Sequence, residues 1–334
     1  MSRLATGENV SHERNRTLGG KNLYWFVTSG NKISGELPMV WTFIKTTLLV
    51  GFLTGILFVV AYVMGLDPIV ALGFAAFMNL IIYWFSDRLV LRMGRAKVVG
   101  EEDAPRVYAA LRRLNAASGM PMPKVALVNS PVPNAFVTGR SPSKATVAVH
   151  TGLLSVVNDE ELEGVLAHEL THVRNWDTLT MTIAATVAGA ITYLAQWGWL
   201  LGGAFGYGGG SGGRNKQGGS LIGLLFMLVL APLAAMLVQL AVSRTREYAA
   251  DEGGAKLSGK PLALASALEK IEYQARNRKP SANANPALSS LYIVNPFRGS
   301  MFTQLFSTHP RTEKRIARLH QIAGTMGYGS YYRQ

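Results

Sequence analysis

The sequence predicts an α+β integral membrane protein: four transmembrane helices and a mainly helical polar domain with a small antiparallel sheet. Two observations carry the prediction. Charged residues make up only 16% of the 334 residues, against roughly 25% in an ordinary soluble domain. They are absent from four long stretches: 21 residues between Lys45 and Asp67, 19 between Asp67 and Asp87, 36 between Asp177 and Arg214, and 27 between Lys216 and Arg244. A helix needs about 20 apolar residues to cross a bilayer core. Four such runs in one chain are hard to place as core helices of a soluble protein.

Residues 1–37 show no clear period and read as a tail. Residues 38–87 hold the first two spans, joined by a turn around Gly65–Pro68, with Pro68 suited to the first turn of the second helix. Residues 88–177 form a polar part. Within it, 104–118 reads as a helix opened by Pro105 and closed by Gly119, with Val107, Leu111 and Leu114 on one face. Lys124–Asn129, Ala135–Thr138 and Thr146–His150 read as short strands punctuated by Pro and Gly. Asn158 caps a further helix with acids in its first turn. No breaker follows before the glycines near 202, so this helix is expected to run on into the third span. Residues 178–243 hold spans three and four around a glycine-rich loop at 202–219. Residues 244–334 form a second polar part. The fourth span is expected to continue past Arg244 and stop at Gly253-Gly254. Residues 261–276 form another helix, 280–306 read as loop, and Pro310 opens a last helix that closes before Gly324.

Lys and Arg set the orientation. Residues 1–39 carry five, the turn between the first two spans none, 88–177 eleven, 202–219 two and 244–334 fourteen. The positive-inside rule therefore places both termini and both polar parts in the cytoplasm of a multi-pass inner-membrane protein. The same bias accounts for much of the net charge of +13, so nucleic acid is not needed as a partner, while an anionic lipid surface suits it. The first apolar run begins only near Met39 and is too long for a signal peptide. With no cysteine in the chain, disulfides, a thiol nucleophile and cysteine-ligated metals are excluded.

The strongest local signal is His168-Glu169-Leu170-Thr171-His172. On a helix, positions i and i+4 share a face, so both imidazoles reach one zinc. Glu169 is then close enough to accept a proton from a water whose pKa the zinc lowers, which is the chemistry of hydrolysis at a carbonyl. A catalytic zinc needs a third protein ligand. Glu247 and Asp251, four apart just after the fourth span, supply a third ligand and a carboxylate for the outer nitrogen of a ligand histidine. His172 and Glu247 stand roughly 9 and 8 Å beyond their spans at 1.5 Å per residue, at one level. At helical spacing Asp177 points away from His168 and reads as a boundary residue.

On these residues, with Pro133-Asn134-Ala135-Phe136-Val137-Thr138-Gly139-Arg140, Val173-Arg174-Asn175-Trp176-Asp177 and Ser307-Thr308-His309-Pro310, the chain resembles the HtpX-like membrane metallopeptidases. These belong to the gluzincin clan, which includes the CAAX prenyl proteases. The resemblance covers about 40–322 and implies a zincin-like domain. It implies one zinc held by His168, His172 and Glu247, with Glu169 as general base and acid. It implies that Asn134 and Ala135 lie on an edge strand that holds an extended peptide, and that His309 supports the oxyanion. From the residues alone, Asn134 is equally a turn residue after Pro133, and His309 a helix cap. The resemblance also implies misfolded or damaged membrane proteins as substrates.

Two rivals are weighed against this. An intramembrane site-2-type protease would have to submerge Asp159, Glu160, Glu161, Glu163, Arg174 and Asp177 in hydrocarbon, which is costly. A non-enzymatic zinc scaffold would not need Glu169. The glycine patterns at Gly208–Gly213 and Gly254–Lys260 have no preceding strand and carry no nucleotide or hydrolase function. A protease of this kind needs its access controlled, and the segment 280–306 or the N-terminal tail is expected to lid the cleft.

Overall fold

The computed structural model describes residues 36–63, 65–188, 244–277, 288, 291–294 and 310–327. The tail up to residue 35, the loop 202–219, most of the third expected span, all of the fourth, most of 280–306, and His309 lie outside the described residues.

Two long helices open the chain, α1 (Glu36–Val63) and α2 (Pro68–Met93). The turn between them needs Gly65, whose φ is 91°, a region open to glycine. Asp67 then caps α2 by accepting the Ile69 N–H at 2.8 Å, with Pro68 in the first turn, so two of the helix's orphan positions are provided for. Asn79 of α2 donates to the Thr54 hydroxyl of α1 at 2.7 Å. Among the described residues, α2 is the one helix long and apolar enough to cross a membrane. α1 covers the first expected span.

The sheet has four strands: β1 (Ala96–Val99), β2 (Lys124–Val128), β3 (Ala135–Thr138) and β4 (Thr146–His150). Their order is β1-β2-β4-β3. It is a mixed sheet, not the antiparallel one expected: β2 and β4 run parallel, while β1–β2 and β3–β4 are antiparallel. The cause lies in the connection 129–134. It carries the chain past the slot beside β2 to the far edge, and β4 turns back from β3 to fill that slot. β1 had no counterpart among the expected strands. The connection lies so close to the helix after β4 that a Cβ on Gly152 would sit 2.3 Å from the Pro131 carbonyl oxygen.

α3 (Pro105–Ser118) begins and ends as its sequence dictates, with Gly119 at φ 68° beyond it. A short α4 (Thr151–Val156) leads into α5 (Asp159–Arg174). Asn158 and Glu161 form a reciprocal capping box at the start of α5, which satisfies two orphan N–H groups. α5 does not run on as expected. Asn175 and Trp176 close it with N–H bonds back to Thr171 and Val173. Trp176 has φ 61°, and residues 177–188 form a separate helix, α6. After the undescribed stretch come α7 (Arg244–Ser258), α8 (Pro261–Asn277) and α9 (Thr312–Thr325). α7 passes straight through Gly253-Gly254 instead of stopping there, and α9 runs one residue beyond Gly324.

α5 lies at the centre of the polar domain, buried from Glu161 to Val173. Its Leu162, Leu166 and Leu170 share one apolar core with Leu111 of α3, Val147 of β4, Leu268 of α8 and Leu319 of α9. A helix apolar on several faces is buried on several faces. Two of the buried acids of α5 are paired: Glu161 with Lys270 at 2.7 Å, and Glu163 with Lys260 at 3.3 Å. A second cluster joins Val90 of α2 to Phe136, Ala148 and Met181, seating the sheet on the polar end of α2.

Candidate metal centre

α5 and α7 cross at glycine. A Cβ on Gly254 would come within 2.7 Å of the His168 backbone nitrogen, and one on Gly253 within 2.5 Å of the Thr171 side chain. With hydrogen in place of that carbon, the two backbones approach closely, and Glu247 and Asp251 reach the histidine face of α5.

His168, His172 and Glu247 are each about 2% exposed. They offer one ligand atom apiece within 4.8 Å of one another. The His168 and His172 Nε2 atoms lie 3.8 and 3.5 Å from the Glu247 carboxylate oxygens. Each histidine gives its other nitrogen to a buried carboxylate: His168 Nδ1 to Asp251 at 3.0 Å, His172 Nδ1 to Asp177 at 3.1 Å. A carboxylate on Nδ1 fixes the tautomer and leaves the Nε2 lone pair for a metal. The side-chain charges also ask for a cation. Burial works against a charged His172, yet Asp177 and then Glu247 outweigh it and raise the pKa to about 9. His168, His172 and Glu247 would hold a divalent ion, whose charge would serve in place of that proton. Two nitrogens and one carboxylate oxygen, with no sulfur, form the donor set of a three-ligand zinc site.

Glu169 is 5% exposed. Burial raises its pKa to about 8; His172 opposes the rise, and Glu247 adds to it. A hydrogen bond with the Val137 backbone favours the ionised form. The strand geometry explains that bond. The His150 N–H donates to the Asn134 carbonyl at 2.9 Å, so the bonded pairs of β3 with β4 fall on alternate residues from Asn134. Ala135 and Val137 therefore turn their N–H and C=O groups to the open edge, and that edge faces α5.

Of the residues expected at the site, His168, His172, Glu169, Glu247 and Asp251 come together. Ala135 begins the edge strand. The Asn134 amide is directed elsewhere: its Oδ1 accepts the Ile293 N–H at 2.9 Å, and its Nδ2 donates to Leu291 O at 3.5 Å. It braces a turn within the segment expected to form a lid.

Two residues of the site were missed. Asp177 reaches His172 because the chain breaks at Asn175–Trp176 and folds back; Arg246 Nε holds its other oxygen at 3.2 Å. Arg315, 1% exposed, forks onto both oxygens of Asp251 at 2.8 and 2.7 Å and donates to Ile293 O at 3.1 Å. Burial opposes its charge, but Asp251 more than compensates and drives its pKa further up. Arg315 shares a helix face with Leu319 and Ala323, and a cation on an apolar face was the available signal.

Helix-borne histidines four apart, a carboxylate from a second helix and a buried glutamate beside them define a metal-dependent peptidase. The chain belongs to peptidase family M48, whose profile matches residues 101–323. It is 50% identical over 289 residues to a protease HtpX homolog of Thermococcus sibiricus, covering 85% of this chain and 97% of that protein. A protease HtpX homolog of Pyrococcus furiosus is 51% identical over 290 residues, with the same coverage. Among solved structures, S. mikatae Ste24p aligns at 22% identity with a TM-score of 0.46, over 85% of this chain and 67% of that one.

Proposed function

We propose that the chain is a zinc-dependent endopeptidase embedded in the cytoplasmic membrane by four helices, cleaving misfolded or damaged membrane proteins at the cytoplasmic face. One observation supports it above the others: each candidate ligand histidine has its own buried carboxylate, and both leave Nε2 facing Glu247. One zinc at His168, His172 and Glu247 would supply a Lewis acid and lower the pKa of a water held there.

Glu169 takes the proton of the attacking water and returns it to the leaving amine. It lies buried in the same helix between His168 and His172, where a group that first accepts and then donates a proton is needed. The substrate pairs as an extended chain along β3, the end strand of the sheet, at Ala135. Asn134 shapes the entry to that edge by holding the turn at 291–293. Arg315 keeps Asp251 in place behind His168. His309 remains the candidate for the oxyanion, on the resemblance alone. The four uncharged runs and the Lys/Arg bias support the membrane location and orientation.

The test is casein cleavage by the zinc-loaded, detergent-purified protein beside Glu169→Gln. Cleavage by the wild type, with at least a hundredfold loss in a variant that still binds zinc, is expected. Equal activity in both would remove Glu169 from the mechanism.

A further inference from the structure

One face of α2 changes chemistry along its length. Ile69, Phe77, Leu80, Trp84, Arg88 and Arg92 succeed one another at spacings that keep them on a single side. All six are exposed: Ile69 by 82%, Phe77 by 58%, Leu80 by 52% and Trp84 by 49%, with Arg88 and Arg92 also open to solvent. The order is apolar, then aromatic, then cationic. Tyr83 and Phe85 flank Trp84, exposed by 39% and 51%. Indole and phenol rings favour the level of lipid headgroups. Arg88 lies about 6 Å beyond Trp84 along the axis, and Arg92 about 12 Å. Long arginine side chains reach back over such distances.

A residue from the sheet joins this face. The Arg140 guanidinium lies 4.1 Å from the centroid of the Trp84 ring and 5.9 Å from that of Tyr83. Its Nη1 donates to the Trp84 carbonyl at 3.3 Å. Arg140 stands two residues after Thr138, the end of the open-edge strand β3. Next to it, Thr138 and the Gly139 N–H meet the Thr182 hydroxyl of α6 at 3.1 and 3.4 Å. Arg88, Arg92 and Arg140 make no ion pair with another side chain among the described residues. Asp87, next to Arg88 in the helix, accepts the Arg88 backbone N–H.

We propose that Trp84, Arg88, Arg92 and Arg140 form a binding surface for anionic phospholipid headgroups, and that Arg140 thereby latches the substrate-edge strand to the bilayer. The surface is cationic where a headgroup phosphate lies and apolar where acyl chains begin, which selects a lipid over a soluble anion. The latch puts the open edge of β3 at a set height above the membrane, where the polar ends of membrane-protein substrates emerge. This rests on the membrane reading above.

The experiment reconstitutes the full chain in phosphatidylcholine nanodiscs with and without phosphatidylglycerol. It reads two quantities: binding of labelled phosphatidylglycerol and the rate of casein cleavage. The wild type should bind phosphatidylglycerol and cleave faster in its presence. Arg88→Gln with Arg92→Gln should weaken that binding roughly thirtyfold. Arg140→Gln should lose the acceleration by phosphatidylglycerol. Unchanged phosphatidylglycerol affinity in the double variant would overturn the surface. Binding without any effect on cleavage in the wild type would overturn the latch. A chain that enters no nanodisc would overturn the membrane reading and the surface together. Insertion into phosphatidylcholine with no preference for phosphatidylglycerol would overturn the surface alone.

Discussion

Asp177 Oδ2 lies 3.1 Å from Nδ1 of His172, five positions earlier in the chain. Had α5 continued as one helix, five residues would have turned the two side chains to different faces. The break at Asn175–Trp176 brings them together and gives the second histidine a carboxylate that matches the one Asp251 gives the first. Loss of such an outer carboxylate costs about 10- to 100-fold in metal affinity. Asp177→Asn and Asp251→Asn should each weaken zinc binding by that range, measured by competition with a chelator. Unaltered zinc affinity in Asp177→Asn would make its contact with His172 incidental.

Arg315 and Asp251 form a buried pair, 1% and 0% exposed. Arg315→Met leaves the carboxylate without its cation, a loss of about 3–5 kcal/mol for a buried pair broken on one side. Arg315→Met combined with Asp251→Leu removes both charges and should be more stable than Arg315→Met alone. Thermal melts of the single and double variants decide this; a double variant less stable than the single would contradict it.

Gly254→Ala should be poorly tolerated, because the neighbouring atoms are the backbone of His168. A loss of about 1–3 kcal/mol is expected from overpacking, together with lower zinc content as α7 is pushed off α5. Gly324→Ala in α9, where a Cβ would meet nothing within 4 Å, is the control. Equal melting temperatures and zinc content in the two variants would show that the crossing is not as tight as described.

His150 introduces a dependence on acid that does not involve the metal. Its ring bonds to Val132 O at 2.9 Å and lies edge-on between Phe136 and Tyr292. Burial, partly offset by the Val132 bond, lowers its pKa to about 4. Between about 6.5 and 4 the unfolded chain therefore binds the proton and the folded chain does not, so stability falls as the pH falls. From pH 7 to pH 5 this group should remove about 2 kcal/mol. His150→Gln should flatten that limb in melts at the two pH values. Parallel curves for the two proteins would assign the acid sensitivity to other groups.

The core of the site was legible because its signals are local. His168, Glu169 and His172 lie within five residues, and Glu247 with Asp251 within five more, so helical spacing alone shows which share a face. The capping box at Asn158 and the ends of α3 were legible for the same reason. What escaped needed tertiary information. Arg315 is 64 positions from Asp251, and no local rule pairs them. Trp176 in a left-handed conformation has no propensity that would announce it. Gly253 and Gly254 read as a stop because glycine weakens an isolated helix, whereas here its lack of a side chain is what the neighbouring backbone requires. The parallel pairing of β2 with β4 depends on the path of 129–134 across the sheet, which periodicity cannot report.

Glu247 follows His172 by 75 positions in the chain, and α7 must dock on α5 before the three donors meet. A chain still on the ribosome with both histidines made, but residue 247 not yet added, has no complete ligand set. It could not hold metal there as the proposed site of the finished protein would. With the proposed ligand set, the gap between the ligands would act as a timer in biosynthesis: cleaving power would arise only once the chain past α7 had been made and folded.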